Sequence, residues 1–463
     1  MSKKNDGRDP ELSDDSLFQR DADRVYQDLL GRVGELGLQP RLAPTRRVVE
    51  LLGDPQRAYP IVHITGTNGK TSTSRMIESI LRASGLRTGL LTSPHLVRLN
   101  ERIMIDGEPI SNEGLVTNWQ DIQPYVAMVD AELDTAGEPH LTFFEAFTAL
   151  AFASFADAPV DVAVIEVGMG GEWDSTNVGD GQVAVFTPIA LDHTKRLGST
   201  IAEIARTKAG IIKPVAAVVS AAQTTEALAE LERAAQLTES SIAVQGTAFS
   251  LLSNTVAVGG QVISVKGLAG TYSELFLPLF GDHQAQNAAV AIAAVEAFIG
   301  GGTQPLAHDV VEEGLATATS PGRLQVIGIE PTVIIDAAHN PHGAEALAKA
   351  IGSYFTFDEM TVVLGVLADK DARGIVRALA PIAARFQVTQ SSSERAIPAD
   401  RLEELVAELT ESGVSHEFDD LESALDDARE WAAAAPRRAV LVTGSITMIG
   451  DTLVLAGERG WKR

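Results

Sequence analysis

Short apolar runs punctuate the chain from Tyr59 to about Ser220: IVHIT, TGLLT, DVAVIEV, QVAVFTP and VAAVVSA, separated by stretches of helical character. Runs of this length predict strands buried on both faces, hence a largely parallel sheet covered on each side by helices. Between Ala248 and Phe280 the pattern changes. FSLLSNTVAVGGQVISVKG and SELFLPLF, with glycines as turns, predict a small antiparallel patch, and QAQNAAVAIAAVEAFIG then reads as one helix. The segment ATATSPGRL breaks the rhythm with small residues and Pro321. Beyond it VIID, MTVVLGV, RFQVT and RAVLVTG are again buried-strand patterns between alanine-rich helices, which predict a second α/β unit of roughly 140 residues. The expected division is a mobile tail at 1–20, a larger unit at 21–318 and a smaller one at 319–463.

Composition narrows the function classes. The formal charge of −25 and a pI near 4.7 argue against non-specific binding to nucleic acid or anionic membrane, so an anionic ligand needs a local basic pocket. Cysteine is absent, which removes disulfides, thiolate nucleophiles and thiolate metal sites and fits a reducing cytoplasm. The opening MSKKNDGRDPELSDDSLFQR has no apolar run resembling a signal peptide, and no later stretch reads as a membrane span.

The strongest chemical signal is IVHITGTNGKTS, residues 61–72, a buried strand entering a glycine turn and a helix. Gly66, Thr67, Asn68 and Gly69 let backbone N–H groups converge on a phosphate; Lys70 supplies a cation for the outer phosphates, and Thr71 and Ser72 supply hydroxyls. It is a short P-loop. The commoner GxxxxGK[ST] pattern wants glycine at position 64, where this chain has Ile64. A glycine turn without a ligand is the blander reading.

Several further segments follow in order: LLTSPHLVRLNERI, TFFEAFTALAF, EVGMGGEWDSTN, LDHTKRLGSTIAEIARTKAGIIKP, GDHQAQNAAVAIAA, PGRLQ, DAAHNPHG, GVLADKD and TGSITMIGD. With TGTNGKTS they closely resemble the folylpolyglutamate synthase and dihydrofolate synthase family, a branch of the Mur-type ATP-dependent amide ligases, from Leu36 to the C-terminus. The resemblance implies a P-loop mononucleotide-binding domain with a mostly parallel sheet and a smaller, Rossmann-like C-terminal α/β domain. It also implies a reaction: ATP phosphorylates an acceptor carboxylate, and the amine of L-glutamate displaces phosphate to form an amide.

By that resemblance Lys70 touches the β- and γ-phosphates, and Thr71, Ser93, Glu145 and His193 hold Mg²⁺. Lys208 corresponds to a lysine that CO₂ carbamylates, converting a cation into a carboxylate for a second metal ion; a monovalent cation is a further expected companion. Gln284, Asn287 and Asp336 fall near the nucleotide, and Arg323 corresponds to an interdomain arginine on ATP phosphates. His339 falls beside nucleotide and amino acid, Asp369 to Asp371 at the same interface, and Asp174, Asn177 and Ser445 face substrates.

Read without the family, Ser93 is a turn residue, Glu145 a paired acid, and Asp174 and Asn177 are caps; His193 is an ordinary hydrogen-bonding histidine, since Mg²⁺ prefers oxygen. Glu166 ends a buried strand before a glycine-rich segment, so a polar site at the carboxyl edge of the sheet is expected there. Where the family commonly has arginine-leucine, this chain has Glu172-Trp173.

The expected enzyme is a cytoplasmic monomer that adds glutamate to dihydropteroate and to reduced folates. A ligase restricted to folylpolyglutamate synthesis and a non-ligase P-loop ATPase are the alternatives. A peptidoglycan-type ligase is disfavoured: about forty residues between the tail and the P-loop strand fall below the ~50-residue floor of a separate N-terminal domain.

Overall fold

The computed structural model describes residues 14–32, 40–410 and 414–461. Three sheets carry the architecture. Strands β1 (Ile61–Thr65), β2 (Thr88–Leu91), β3 (Ile103–Ile105), β4 (Glu108–Pro109), β5 (Val162–Glu166), β6 (Gly181–Phe186), β7 (Ala217–Ser220) and β8 (Ser241–Val244) form the first. Their order is β4-β3-β2-β5-β1-β6-β7-β8, parallel except for the β2-β3-β4 edge. β1 lies between β5 and β6 and all five of its residues are buried, as its unbroken apolar run requires. The helix Lys70–Ala83 covers one face and the alanine- and phenylalanine-rich helix Phe143–Asp157 the other.

A second, antiparallel sheet of β9 (Ser250–Ala257), β10 (Gly260–Lys266) and β11 (Thr271–Leu277) follows, then the helix Asp282–Gly300. The third sheet uses β12 (Gln325–Ile329), β13 (Thr332–Asp336), β14 (Glu359–Leu364), β15 (Arg385–Val388), β16 (Ser415–Glu417) and β17 (Arg438–Thr443) in the order β12-β13-β17-β14-β15-β16. Only β12 runs antiparallel to its neighbour. Every strand expected from the apolar runs is present; β3, β4, β8, β12 and β16, all edge or near-edge strands, are additions.

Of the residues expected as a tail, 1–13 lie outside the described residues, as do 33–39 with Leu36, whereas the helix Asp14–Leu17 and the start of the helix Gln19–Leu30 fall within 14–20. The second helix buries Ala22, Val25 and Leu29 against the first sheet's helical layer, which the charged QRDADR lettering conceals. Among the described residues no helix is long and apolar enough to cross a membrane.

Candidate active site

The carboxyl ends of β1, β2, β5 and β6 meet those of β13, β14 and β17 across one cavity of about 500 Å³. β1 delivers the glycine turn. Gly66 has φ +152° and a Cβ there would lie 1.8 Å from Thr187 Oγ1; Gly69 has φ +87° and a Cβ would meet Asn287 Oδ1 at 2.9 Å. Only glycine fits either place. The helix that follows has no side-chain N-cap, which leaves its first N–H groups for a ligand.

Lys70 Nζ donates to the carbonyls of Gly66 (3.3 Å) and Thr67 (3.1 Å), folded over its own turn. Burial pulls its pKa down, against the fields of Glu166 and Asp192. Thr71 Oγ1 donates to both oxygens of Glu166 (2.9 and 3.0 Å), and the Ser93 N–H reaches the same carboxylate at 3.4 Å. Burial pushes the Glu166 carboxyl up, with Lys70 opposing. Ser72 turns inward, where its Oγ lies 2.9 Å from Ser320 Oγ and accepts from Gln284 Nε2 at 3.2 Å. Asn287 Nδ2 donates to Gln284 Oε1, so the pair buttresses the turn from behind.

Glu145, expected on the metal, lines the cavity but is already engaged. Arg41 grips it with two bonds of 2.9 Å, and Glu145 Oε2 also accepts from Thr142 N–H in the capping box of its helix. The carboxylate beside Thr71 and Ser93 is that of Glu166. Asp174 spends its oxygens on Met169 N–H (2.8 Å), Thr176 N–H (3.0 Å) and Thr176 Oγ1 (2.5 Å). Asn177, expected to face substrate, donates to the carbonyls of Glu172 and Gly210 and does not line the cavity. Both lock local turns, and Asp174 also lines the cavity.

Lys208 is 4 % exposed and donates to the Gly66 carbonyl at 2.8 Å. Burial first, then the charge of Lys70, pushes its pKa down to about 7. His193 adopts the left-handed conformation (φ 49°, ψ 36°), and burial holds its pKa at about 4, so the ring is neutral at pH 7. Beside it Asp192 pairs with Lys370 of the second unit at 3.1 Å. Burial would raise the Asp192 carboxyl, but His193 and Lys370 draw it below the usual range. The resemblance places Asp369 to Asp371 at this interface, but the pairing of Lys370 with Asp192 is not legible in the sequence.

From the third sheet, Asp336 accepts from Leu324 N–H (2.9 Å) and Ala338 N–H (2.8 Å), fixing the segment that carries Arg323. Arg323 lines the cavity and its guanidinium makes no hydrogen bond among the described residues. His339 donates from Nδ1 to the Ala337 carbonyl (2.9 Å), which fixes the tautomer and leaves Nε2 a bare acceptor; burial lowers its pKa to about 4. Asp369 pairs with Arg395, and Asp371 caps its own helix through Gly374 N–H. Ser445 Oγ is fully buried without a partner at the uncapped start of the helix Ile446–Glu458, which faces the cavity. Asn68 of the glycine turn bonds Asn340 and His342 across the gap, at 3.4 and 2.9 Å.

The cavity thus gathers Lys70, Lys208, Arg323 and Lys370 inside an acidic protein; of the buried carboxylates that line it, Glu145, Glu166, Asp174 and Asp336, Glu166 is the one held against the Thr71 hydroxyl of the glycine turn. That set suits a phosphate chain and a hard cation. Arg323→Ala is expected to raise the KM for ATP about tenfold or more with little change in melting temperature, since the guanidinium anchors no protein group; steady-state kinetics and calorimetry check both.

The chain matches the Mur ligase middle domain over residues 64–295 and the Mur ligase glutamate ligase domain over residues 322–446. It is 44% identical over 445 residues to the dihydrofolate synthase/folylpolyglutamate synthase of Mycobacterium tuberculosis, covering 92% of this chain and 91% of the relative. The structure of Mycobacterium tuberculosis folylpolyglutamate synthase complexed with ADP superposes with a TM-score of 0.91 at 43% identity, over 95% of this chain and 99% of that one. Escherichia coli FolC in complex with DHPP and ADP gives a TM-score of 0.82 at 30% identity, over 95% and 98% of the two chains.

Proposed function

The chain belongs to the folylpolyglutamate synthase and dihydrofolate synthase family of Mur ligases, and from that premise we propose that it joins L-glutamate to both dihydropteroate and reduced folates. It is an ATP-dependent amide ligase that releases ADP and phosphate. The observation that carries the reading is the meeting, in one cavity, of the glycine turn with Lys70 from the first sheet and Arg323 with an uncapped helix start from the third.

A carboxylate resists an amine because it is anionic and would have to expel oxide. Transfer of the γ-phosphoryl group onto it supplies a leaving group, and the amine then attacks the carbonyl carbon and expels phosphate. The crowding of anions is the main obstacle, so positive charge preset around the phosphates does most of the catalytic work. Lys70 and the turn hold the phosphate chain, and Arg323 meets it from the other side. Ser445 and the helix start receive a carboxylate of glutamate; the bare Nε2 of His339 takes the proton that the amine loses on bond formation.

Among the described residues no three His, Asp or Glu side chains cluster as a metal centre. Mg²⁺ needs no such cluster, because it binds through one or two carboxylates plus substrate phosphates and water. Glu166, Thr71 and Ser93 offer oxygen donors beside the phosphate turn and fit it. When bound there, Mg²⁺ neutralises phosphate charge and eases departure of ADP. We read Lys208 as carbamylated: its amine is partly neutral at pH 7, as nucleophilic attack on CO₂ demands, and loss of a proton leaves an N-carboxylate.

Purified protein with ATP, Mg²⁺ and glutamate is expected to release phosphate with either dihydropteroate or tetrahydrofolate. Release with tetrahydrofolate alone would restrict the chain to polyglutamylation, and steady ATP turnover indifferent to both acceptors would end the ligase reading.

A further inference from the structure

Acidic residues outnumber basic ones by 62 to 37, and most surface arginines are paired with carboxylates, among them Arg206 with Glu230, Arg373 with Glu408 and Arg395 with Asp369. Lys195 and Arg196 are a departure. They occupy the single helical turn Thr194–Leu197, and neither makes an ion pair or side-chain hydrogen bond among the described residues. Their position matters more than their freedom. His193 and Leu197, four residues apart and so on one face, line the cavity; Arg196, three residues from His193, flanks that face half-buried, and exposed Lys195 stands behind it. Through His193 and Leu197 the turn adjoins the chamber near Lys208 and the apolar wall of Met169, Trp173 and Leu197, and its two cations lie just outside the lining, as a lip.

The chemistry of repeated glutamylation supplies a ligand for that lip. Each cycle consumes one carboxylate and brings in two, so the acceptor gains one negative charge per turn. A protein of charge −25 repels that product increasingly unless the approach to the reacting carbon carries positive charge. Because the terminal side-chain carboxylate must always reach the same phosphates, glutamates added earlier lie outward, across the lip.

We propose that Arg196, assisted by Lys195, binds the α-carboxylates of glutamates already attached to the acceptor, and so determines how well the enzyme extends a tail it has begun. The inference rests on the ligase reading but makes a separate claim, since it requires that dihydropteroate and monoglutamyl acceptors be used without the lip.

The test compares full-length protein with Arg196→Gln, Lys195→Gln and the double variant, using dihydropteroate, tetrahydropteroyl monoglutamate and tetrahydropteroyl triglutamate. For the double variant the KM of the triglutamate is expected to rise about tenfold, the product of two screened surface contacts, with kcat held. The KM values of the two short acceptors should stay within about twofold by the same measure. Added salt should raise the triglutamate KM of the unaltered protein and leave that of the double variant flat. Arg196→Glu should exceed Arg196→Gln in the same direction. Equal changes for short and long acceptors, or no change for any with melting temperature preserved, would overturn the proposal. Unaltered protein that glutamylates no acceptor would instead strike the ligase reading, and this inference with it.

Discussion

Replacing Lys208 by alanine is expected to cut the rate of glutamate ligation by on the order of 10²–10³-fold, the usual scale for loss of one preset electrostatic group. Added formate or acetate should return part of the activity by standing in for the carbamate, whereas nucleotide affinity, set by the turn and Arg323, should change little. Loss without chemical rescue would leave Lys208 as a donor to Gly66 only; full activity would remove it from the mechanism.

The same residue carries a stability signature of opposite sign. Its pKa in the fold, about 7, lies below its ordinary value near 10.4, so the unfolded chain binds this proton more tightly. The resulting penalty is complete below pH 7 and fades as pH climbs toward ~10.4. Lys208→Met in CO₂-free buffer should therefore melt higher at pH 7, by at most about 4 kcal/mol, with the advantage gone near pH 10.5. A variant that is both inactive and more stable marks a group retained for chemistry.

Two nearby acids should respond in different ways. Glu166→Gln keeps the shape but removes the charge facing Thr71 and Ser93, so kcat should fall by on the order of 10²-fold or more and the Mg²⁺ requirement should rise, with the fold intact. Glu145→Gln leaves Arg41, 13% exposed, with only the more distant and exposed Glu138 carboxylate at 3.9 Å and weakens the capping of the helix Phe143–Asp157. Its principal cost should be stability, about 3 kcal/mol by analogy with other broken buried pairs. Denaturant titration and metal-dependent kinetics separate the two outcomes, and the reverse assignment would return the metal to Glu145.

That pair also shows what the sequence could and could not disclose. The glycine turn, the five buried runs of the first sheet and the four of the third are local patterns, and each is a strand or turn in the fold. Glu145 and Glu166 both sit in apolar lettering that gives no means of choosing between them. What separates them is Arg41, more than a hundred residues upstream of Glu145, whose guanidinium takes one acid and leaves the other to the hydroxyls. Long-range pairing is invisible to periodicity. Asp192 with Lys370 is the same case, a contact between two units whose docking no local pattern encodes. Asp174 and Asn177 illustrate the converse: capping chemistry is local, and the plain reading of their spacing describes the bonds they make, although Asp174 also lines the cavity.

A chamber of about 500 Å³ accommodates one drug-sized guest comfortably. The reaction assembles three, and two are large. Asn68 tethers the halves through Asn340 and His342, and admission of the full set is expected to part those bonds and let the lobes swing. Glycerol-thickened solvent should then slow turnover in proportion to its viscosity if that swing, and not bond making, sets the pace.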